Sequence, residues 1–166
     1  MLVLGVDPGT AITGYGLVKE GKGSKLVPVC YGYFATESDW PLTRRLQTIY
    51  HDVTRVISEF KPDAVAVEDL FFNKNVRTAM AVAYARGMTL LAAAEADCPV
   101  FEYSPPAVKR AVTGMGRATK EQVKYMVQRL CGLESPLSPD DVADALAVAV
   151  CHLHNALTQE AFTLRL

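Results

Sequence analysis

Short apolar runs alternate with amphipathic stretches along this chain, and together they predict strands and helices in a definite order. Residues 2–7 form an apolar run that is too short for a helix and stops at Pro8-Gly9, so we expect a buried strand. A glycine-containing segment from Glu20 to Gly23 indicates a hairpin turn between the next two β-rich runs. Further strands are predicted at about 13–19, 25–36, 64–67 and 99–103.

The hydrophobic period changes to that of a helix between Pro41 and Phe60, where apolar residues recur every three or four positions. Thr119 is followed three residues later by Gln122, the spacing of a capping box at a helix N-terminus. Helices are predicted over 41–60 and 76–96, from Pro105, from Thr119 to Cys131, and from Ser138-Pro139 to about Leu157.

This order of elements predicts an α/β fold. Three hairpin-connected strands followed by strand–helix alternation indicate a mixed five-stranded sheet with helices on both faces. We find no internal repeat or linker, so residues 1–158 are expected to form one domain, with 159–166 as a flexible C-terminal tail.

Composition is that of a globular protein, with half of the residues apolar and 21% charged. No apolar stretch is long enough to span a membrane, and no signal peptide is visible. The four cysteines are far apart and form no CxxC or Cys–His spacing, which favours free buried thiols in a reducing cytoplasm. His152 and His154 are interpreted as surface or packing residues.

Charge is unevenly distributed. The net charge of −1 does not by itself indicate a nucleic-acid partner. The window from Pro105 to Leu130, however, holds six basic residues and the single acid Glu121, so it carries +5 and the remainder carries −6. This window predicts phosphate contact that depends on salt, whereas a solvated helix face is the alternative. Its basic residues are Lys109, Arg110, Arg117, Lys120, Lys124 and Arg129.

Two apolar strands each end in a carboxylate. Asp7 closes the first strand, and Glu68 closes the strand that begins at Ala64. Because side chains alternate along a strand, Asp69 is expected to point away from Glu68. The alternatives are that Asp7 caps the Pro8-Gly9 turn and that Glu68 lies at a solvated strand end. Ligands bind near the carboxyl ends of parallel strands, which favours a site that holds both acids.

The last predicted helix begins with three acids. Asp140 and Asp141 also suit the first turn of a helix through its macrodipole. Asp141 and Asp144 share a face at i, i+3, and apolar residues surround Asp144. An all-oxygen site selects Mg²⁺ or Mn²⁺, and two such ions suit phosphodiester hydrolysis. The candidate catalytic and metal-binding residues are Asp7, Glu68, Asp141 and Asp144.

The segment after Glu68 has two adjacent aromatic residues, Phe71 and Phe72, followed by Lys74. An exposed aromatic residue beside lysine suits stacking on an unpaired base. A Phe-Phe plug beneath the loop is the alternative. The candidate DNA-binding residues are therefore Phe71, Phe72, Lys74, Lys109, Arg117, Lys120 and Lys124.

Several of these motifs, taken in order, resemble the RuvC family of bacterial Holliday-junction resolvases. The matching segments are Gly5-Val-Asp7-Pro-Gly9, Gly14-Tyr-Gly16, Val65-Ala-Val67-Glu68, Phe71, Ala85-Arg86-Gly87, Val108-Lys109, Gly114-Met-Gly116, Lys120 and Asp141-Val-Ala-Asp144-Ala-Leu. The family pattern D-x-x-D-A-L excludes Asp140, although Asp140 could share a face with Asp144. Asp69 stands where the family would have a neutral polar residue.

The resemblance implies an RNase H-like fold and symmetric, Mg²⁺-dependent nicking of four-way junctions, with the four carboxylates holding two ions and Mn²⁺ able to substitute. It further implies that Phe71 stacks at the junction core and that Lys109 and Lys120 bind the backbone. The implied partners are a second copy of the chain and the RuvAB branch-migration complex. Helix 76–96 is rich in alanine, and because small residues permit close helix approach we expect it to form the dimer face. The cysteine pattern indicates that the protein is located in the cytoplasm.

Three other functions remain open at this stage. The Asp7 motif with Gly14 and Gly16 also resembles the phosphate loop of sugar-kinase and actin-type ATPases, which need a second domain. A YqgF-type RNase H-like nuclease would fit the first motif in a shorter chain. A non-catalytic junction-binding module is the third possibility, against which the four carboxylates argue because unneeded acids weaken phosphate binding.

Overall fold

Five strands form one mixed sheet in the part of the chain that the structure, a computed structural model, describes: residues 1–69 and 76–163, with side chains for 1–69 and 79–156. The sheet order is β3-β2-β1-β4-β5. The first three strands are antiparallel neighbours, whereas β1, β4 and β5 run parallel. This arrangement confirms the predicted mixed five-stranded sheet. The strands are β1 (Leu2–Asp7), β2 (Ile12–Glu20), β3 (Leu26–Ala35), β4 (Ala64–Glu68) and β5 (Val100–Tyr103).

Helices cover both faces of the sheet, as predicted. The capping box at Thr119 and Gln122 is present. Within the described ranges, no helix is long and apolar enough to cross a membrane. The helices are α1 (Leu42–Phe60), α2 (Val76–Glu95), α3 (Pro105–Thr113), α4 (Lys120–Leu130) and α5 (Asp140–Thr163).

Helix α5 extends further than the predicted end at about Leu157. Its backbone is helical to Thr163 and so includes residues 159–163 of the predicted tail. No glycine or proline follows Pro139 in the sequence, so the chain contains no residue that would stop the helix there.

The core has two layers, one on each face of the sheet, because alternate side chains of each strand point in opposite directions. Helices α1 and α2 pack on the face that carries Leu4, Val6 and Val65. Helices α3, α4 and α5 pack on the opposite face, which carries Val3 and Ala66. The central apolar residues of α1 are buried, and the helix is capped at its C-terminus by Lys61, whose backbone N–H donates to the Ile57 carbonyl.

Helix α5 lies close to the sheet because it crosses three glycines, Gly5, Gly14 and Gly16. A Cβ on Gly5 would lie 2.0 Å from the Ala145 carbonyl oxygen, and one on Gly16 would lie 2.6 Å from a Leu146 methyl carbon. Side chains at these positions would push the helix away. The glycines therefore determine how near the N-terminal turns of α5 come to the end of β1.

Candidate active site

The carboxylates of Asp7 and Glu68 lie at the same edge of the sheet. Strands β1 and β4 are parallel neighbours, and the pairing of Val6 with Val67 puts the next residue of each strand at that edge. Both side chains line a cleft of about 200 Å³, together with Asp144. The structure thus brings together three of the four predicted acids, from β1, β4 and α5.

Asp141 approaches from the antiparallel side of the sheet. Gly14, which pairs with Asp7 across β1 and β2, has the Asp141 backbone directly over it. Asp141 is not among the residues that line the cleft, but its charge raises the pKa of both Asp7 and Asp144. It therefore lies at the border of the site.

Burial and mutual repulsion make the charged carboxylates costly. Burial first, and then the charges of Asp144, Asp141 and Glu68, raise the pKa of Asp7 to about 7. The pKa of Glu68 is raised by burial and by Asp144, while Lys109 and Lys120 act in the opposite direction. Several acids that raise one another's pKa in a partly buried cleft favour a bound cation.

Lys120 lines the cleft and supplies positive charge to it from a side chain that is 54% exposed. Its Nζ lies 2.9 Å from Oδ2 of Asp144 and 3.9 Å from Oδ2 of Asp140. Burial raises the pKa of Asp144, and the hydrogen bond from Lys120 lowers it. The capping box at Thr119 begins α4 one residue earlier and so anchors the backbone of Lys120.

Asp140 is turned toward lysines. Its Oδ1 accepts a hydrogen bond of 2.8 Å from Lys124 Nζ, and this contact holds the pKa of the Asp140 carboxyl below its usual range. Asp140 and Asp144 are four residues apart on α5, and both therefore contact Lys120. Asp69 is exposed, and its backbone N–H donates to the Tyr103 carbonyl.

The donor set suits a hard divalent cation, since it contains only carboxylate oxygens. Within the described ranges, no three His, Cys, Asp or Glu side chains are already arranged closely enough to hold one ion. Lys120 forms an ion pair with Asp144 in this arrangement. The residues fit Mg²⁺ or Mn²⁺ in their chemistry, and coordination requires side-chain rearrangement around Lys120.

Only some of the basic residues predicted to contact phosphate line the cleft. Lys109, from α3, lines the cleft with Lys120. Arg117 lies exposed between α3 and α4, and Lys124 is one turn beyond Lys120 on α4. The predicted residues Phe71, Phe72 and Lys74 lie outside the described residues.

The predicted packing role of the histidines is confirmed for His152. Its ring lies 4.3 Å from that of Phe101, and its Nδ1 is 2.7 Å from the Tyr103 hydroxyl. Burial lowers the pKa of His152. The thiols of Cys131 and Cys151 are buried in the core, where burial raises the pKa of each to about 11.

Two structural features were not predicted from individual residues, namely the close approach of α5 to the glycines of the sheet and an ion pair between α2 and β5. The glycines under α5 carry a visible signal, the alternation of Gly14 and Gly16 along a strand, which marks close approach of another backbone. The ion pair between Arg86 and Glu102, 2.6 Å long, joins α2 to β5. It has no local sequence signal because its partners belong to distant elements.

Comparison with known proteins identifies the family. The family model described as crossover junction endodeoxyribonuclease RuvC matches residues 3–152. The chain belongs to the RuvC family. A RuvC from Desulfitobacterium hafniense is 53% identical over 155 residues, with 93% of both chains covered. A RuvC from Moorella thermoacetica is 56% identical over 152 residues, covering 92% of this chain and 90% of the relative.

Solved RuvC structures agree with this fold. Thermus thermophilus RuvC in complex with a Holliday junction substrate superposes with a TM-score of 0.90 at 38% identity, with 96% of both chains covered. A yeast mitochondrial Holliday junction resolvase, at 13% identity and a TM-score of 0.67, shares the fold; 96% of this chain and 82% of that chain are covered. The predicted RNase H-like fold class and the resemblance to RuvC are both confirmed.

Proposed function

We propose that this chain is a divalent-metal-dependent endonuclease that resolves four-way DNA junctions by paired, symmetric nicks in recombination and repair. The observation that carries this proposal is the cleft shared by Asp7, Glu68 and Asp144 and bordered by Lys109 and Lys120. Acids with raised pKa values at the carboxyl ends of parallel strands suit a cation, and lysines at their rim suit phosphate. Membership of the RuvC family supports the same activity.

The proposed catalytic residues are the four acids Asp7, Glu68, Asp141 and Asp144, which would hold two Mg²⁺ ions, or Mn²⁺ in their place. When bound, these ions supply the positive charge that activates water and stabilises the phosphoryl transition state. Asp7 and Glu68 extend from the central strands and provide the rigid part of the cleft. Asp141 and Asp144 extend from α5, whose close contact with Gly14 holds them near that edge.

The proposed DNA contacts surround the acids. Lys109 and Lys120 line the cleft, where they would orient the scissile phosphate and offset its charge. Arg117, which precedes α4, and Lys124, which lies on it, extend the basic surface and would contact neighbouring phosphates. For Phe71, Phe72 and Lys74 the proposal rests on the sequence and the family resemblance: the aromatic rings would stack on unpaired bases and Lys74 would contact the backbone.

Symmetric cleavage requires two active sites, so we include a homodimer in the proposal. Helix α2 has a surface on which Met80, Tyr84, Gly87 and Leu91 follow one another at steps of four, three and four residues. The three larger side chains are 41–46% exposed, and a Cβ on Gly87 would meet no atom of the described residues within 4 Å. This spacing forms a seam that a second copy of the helix could cover. We further propose that the protein acts in the cytoplasm, together with a RuvAB complex.

Nicking of a synthetic four-way junction tests the function. We expect paired nicks at symmetric positions with the wild-type chain and Mg²⁺, and the loss of nicking in Asp7→Asn with junction binding retained. Asp69→Asn removes an exposed acid next to Glu68 and is the matched control, expected to nick normally. Binding without nicking in either Mg²⁺ or Mn²⁺ would favour the non-catalytic module. ATP hydrolysis independent of DNA would favour the kinase-like alternative.

A further inference from the structure

Four side chains of alternating charge extend from the cleft to the surface of α4. Lys120 Nζ is 2.9 Å from Asp144 and 3.9 Å from Asp140, and Lys124 Nζ is 2.8 Å from Asp140. Asp144 lines the cleft, whereas Asp140 is 53% exposed. Asp140 therefore lies between Lys120 and Lys124, in the part of this row that is further from the cleft. Lys120 in turn has two acidic partners, Asp144 and Asp140.

Lys120 and a divalent cation would compete for the same carboxylate. In the present arrangement the ammonium group of Lys120 is the direct partner of Asp144. A divalent ion on Asp144 would neutralise that attraction and repel the ammonium group at close range. Lys120 would then have to leave Asp144. A second carboxylate near Lys120 would determine where its ammonium group is held.

Asp140 is already within reach as that second partner. Asp140 is the first residue of α5 and Asp144 is one turn further along, so the two carboxylates are on the same side of one rigid helix. The backbone of Lys120 is anchored by the Thr119 cap, so the shift needs only rotation of its side chain. Lys124 holds the Asp140 carboxylate from the other side.

We propose that Asp140 is a positioning residue that receives Lys120 when a divalent cation displaces it from Asp144. The exchange keeps Lys120 at the rim of the cleft, beside the place proposed for the scissile phosphate. Asp140 would thereby raise the affinity of the site for the cation, since the displaced lysine keeps an acidic partner. The inference rests on the metal site of the proposed function.

A double-mutant cycle on Mn²⁺ binding tests this role. Calorimetry on the full chain without DNA would compare wild type, Asp140→Asn, Lys120→Gln and the double variant. We expect Asp140→Asn to weaken Mn²⁺ binding about three- to fivefold when Lys120 is present and less than about twofold when it is combined with Lys120→Gln, because exposed pairs contribute modestly. Asp140→Glu, which can still reach Lys120, should bind Mn²⁺ nearly as tightly as wild type.

The control separates this pairing from a general loss of negative charge. Asp69→Asn also removes one exposed acid near the site, and its effect should be equal in the wild-type and Lys120→Gln backgrounds. If Asp140→Asn weakens Mn²⁺ binding to the same extent in the wild-type and Lys120→Gln backgrounds, the inference is overturned. The proposed metal site would not be affected by that result. Mn²⁺ binding that is unchanged by Asp7→Asn would instead overturn the proposed metal site, and the inference with it. Thermal unfolding of each variant confirms that it is folded.

Discussion

The backbone carbonyl oxygen of Asp141 occupies the space that a side chain on Gly14 would need. A Cβ at Gly14 would lie 2.0 Å from that oxygen and 2.4 Å from its carbon. Backbone atoms cannot rotate aside as a side chain can, so this contact joins β2 firmly to the first turn of α5. It thereby places the acids of α5 beside the end of β1.

Gly14→Ala should therefore displace the start of α5. We expect a loss of about 1–3 kcal/mol in the free energy of unfolding, typical of overpacking, with a larger relative loss of nicking because Asp141 and Asp144 move. Denaturant unfolding and junction-nicking rates measure the two effects. Gly116→Ala is the control, because its Cβ would have its nearest neighbour at 3.4 Å. Equal stability of Gly14→Ala and wild type would contradict the close contact.

Metal-free stability should depend on the ionisation of Asp7. Its pKa is about 7 in the folded chain against 3.8 as the ordinary value, so the folded state holds the proton more tightly. Stability should fall as pH rises from about 4 to about 7 and then level off. Asp7→Asn removes this penalty, and in EDTA at pH 8 it should be more stable than wild type by on the order of 2–4 kcal/mol.

Denaturant unfolding between pH 5 and 8.5 measures this difference. Asp69→Asn, which changes an exposed acid, should follow the wild-type pH dependence. Added Mg²⁺ should stabilise wild type and not Asp7→Asn, so the difference in unfolding free energy between the two proteins should become smaller. A difference that stays constant over the whole pH range would contradict the assignment to Asp7.

Phosphate contacts should be measurable from salt dependence. Lys109→Gln and Lys124→Gln should each reduce the slope of the logarithm of the binding constant against the logarithm of salt concentration by about 0.9 for one lost contact with duplex DNA. Lys19→Gln is the matched control, since Lys19 is exposed and pairs with Leu2 at the opposite end of β1. Fluorescence anisotropy with a catalytically inactive background measures the slopes. Equal slopes for all three variants would rule out a local basic surface.

Helix α2 should carry the contact between two copies of the chain. Leu91→Glu introduces a charge in the exposed seam, and we expect it to shift the protein to monomers in sedimentation experiments. Leu42→Glu makes the same change at a side chain of similar exposure, 43% against 46%, on α1. It should leave the association state unchanged. Equal behaviour of the two variants would contradict α2 as the dimer face.

The N-terminal cap of α4 should support both stability and the position of Lys120. Thr119 Oγ1 accepts a hydrogen bond from the Gln122 backbone N–H, and the Gln122 side chain accepts one from the Thr119 backbone N–H. Thr119→Ala should cost about 0.5–2 kcal/mol of unfolding free energy, whereas Thr119→Ser should retain most of it. Thermal unfolding measures the cost. Similar losses in both variants would show that the hydroxyl is not the cap.

Local patterns in the sequence were sufficient for the strands, most helices and the acids that end β1 and β4. Periods of two and of three to four residues report which side of an element is buried, and the Thr119–Gln122 box is a local motif; the structure contains each of these features. The length of α5 was underestimated, because helix ends depend on the absence of stop signals as much as on a periodic pattern.

The sequence alone determined that this chain has carboxylates at two strand ends and at one helix start, and that its basic residues are concentrated between Pro105 and Leu130. Only the tertiary structure decided which acids face the cleft. In a helical pattern either Asp140 or Asp141 can share a face with Asp144, but the contact of α5 with Gly5, Gly14 and Gly16 fixes its rotation. That rotation turns Asp144 toward Asp7 and leaves Asp140 with Lys124, because side-chain direction follows helix packing, which no local spacing encodes.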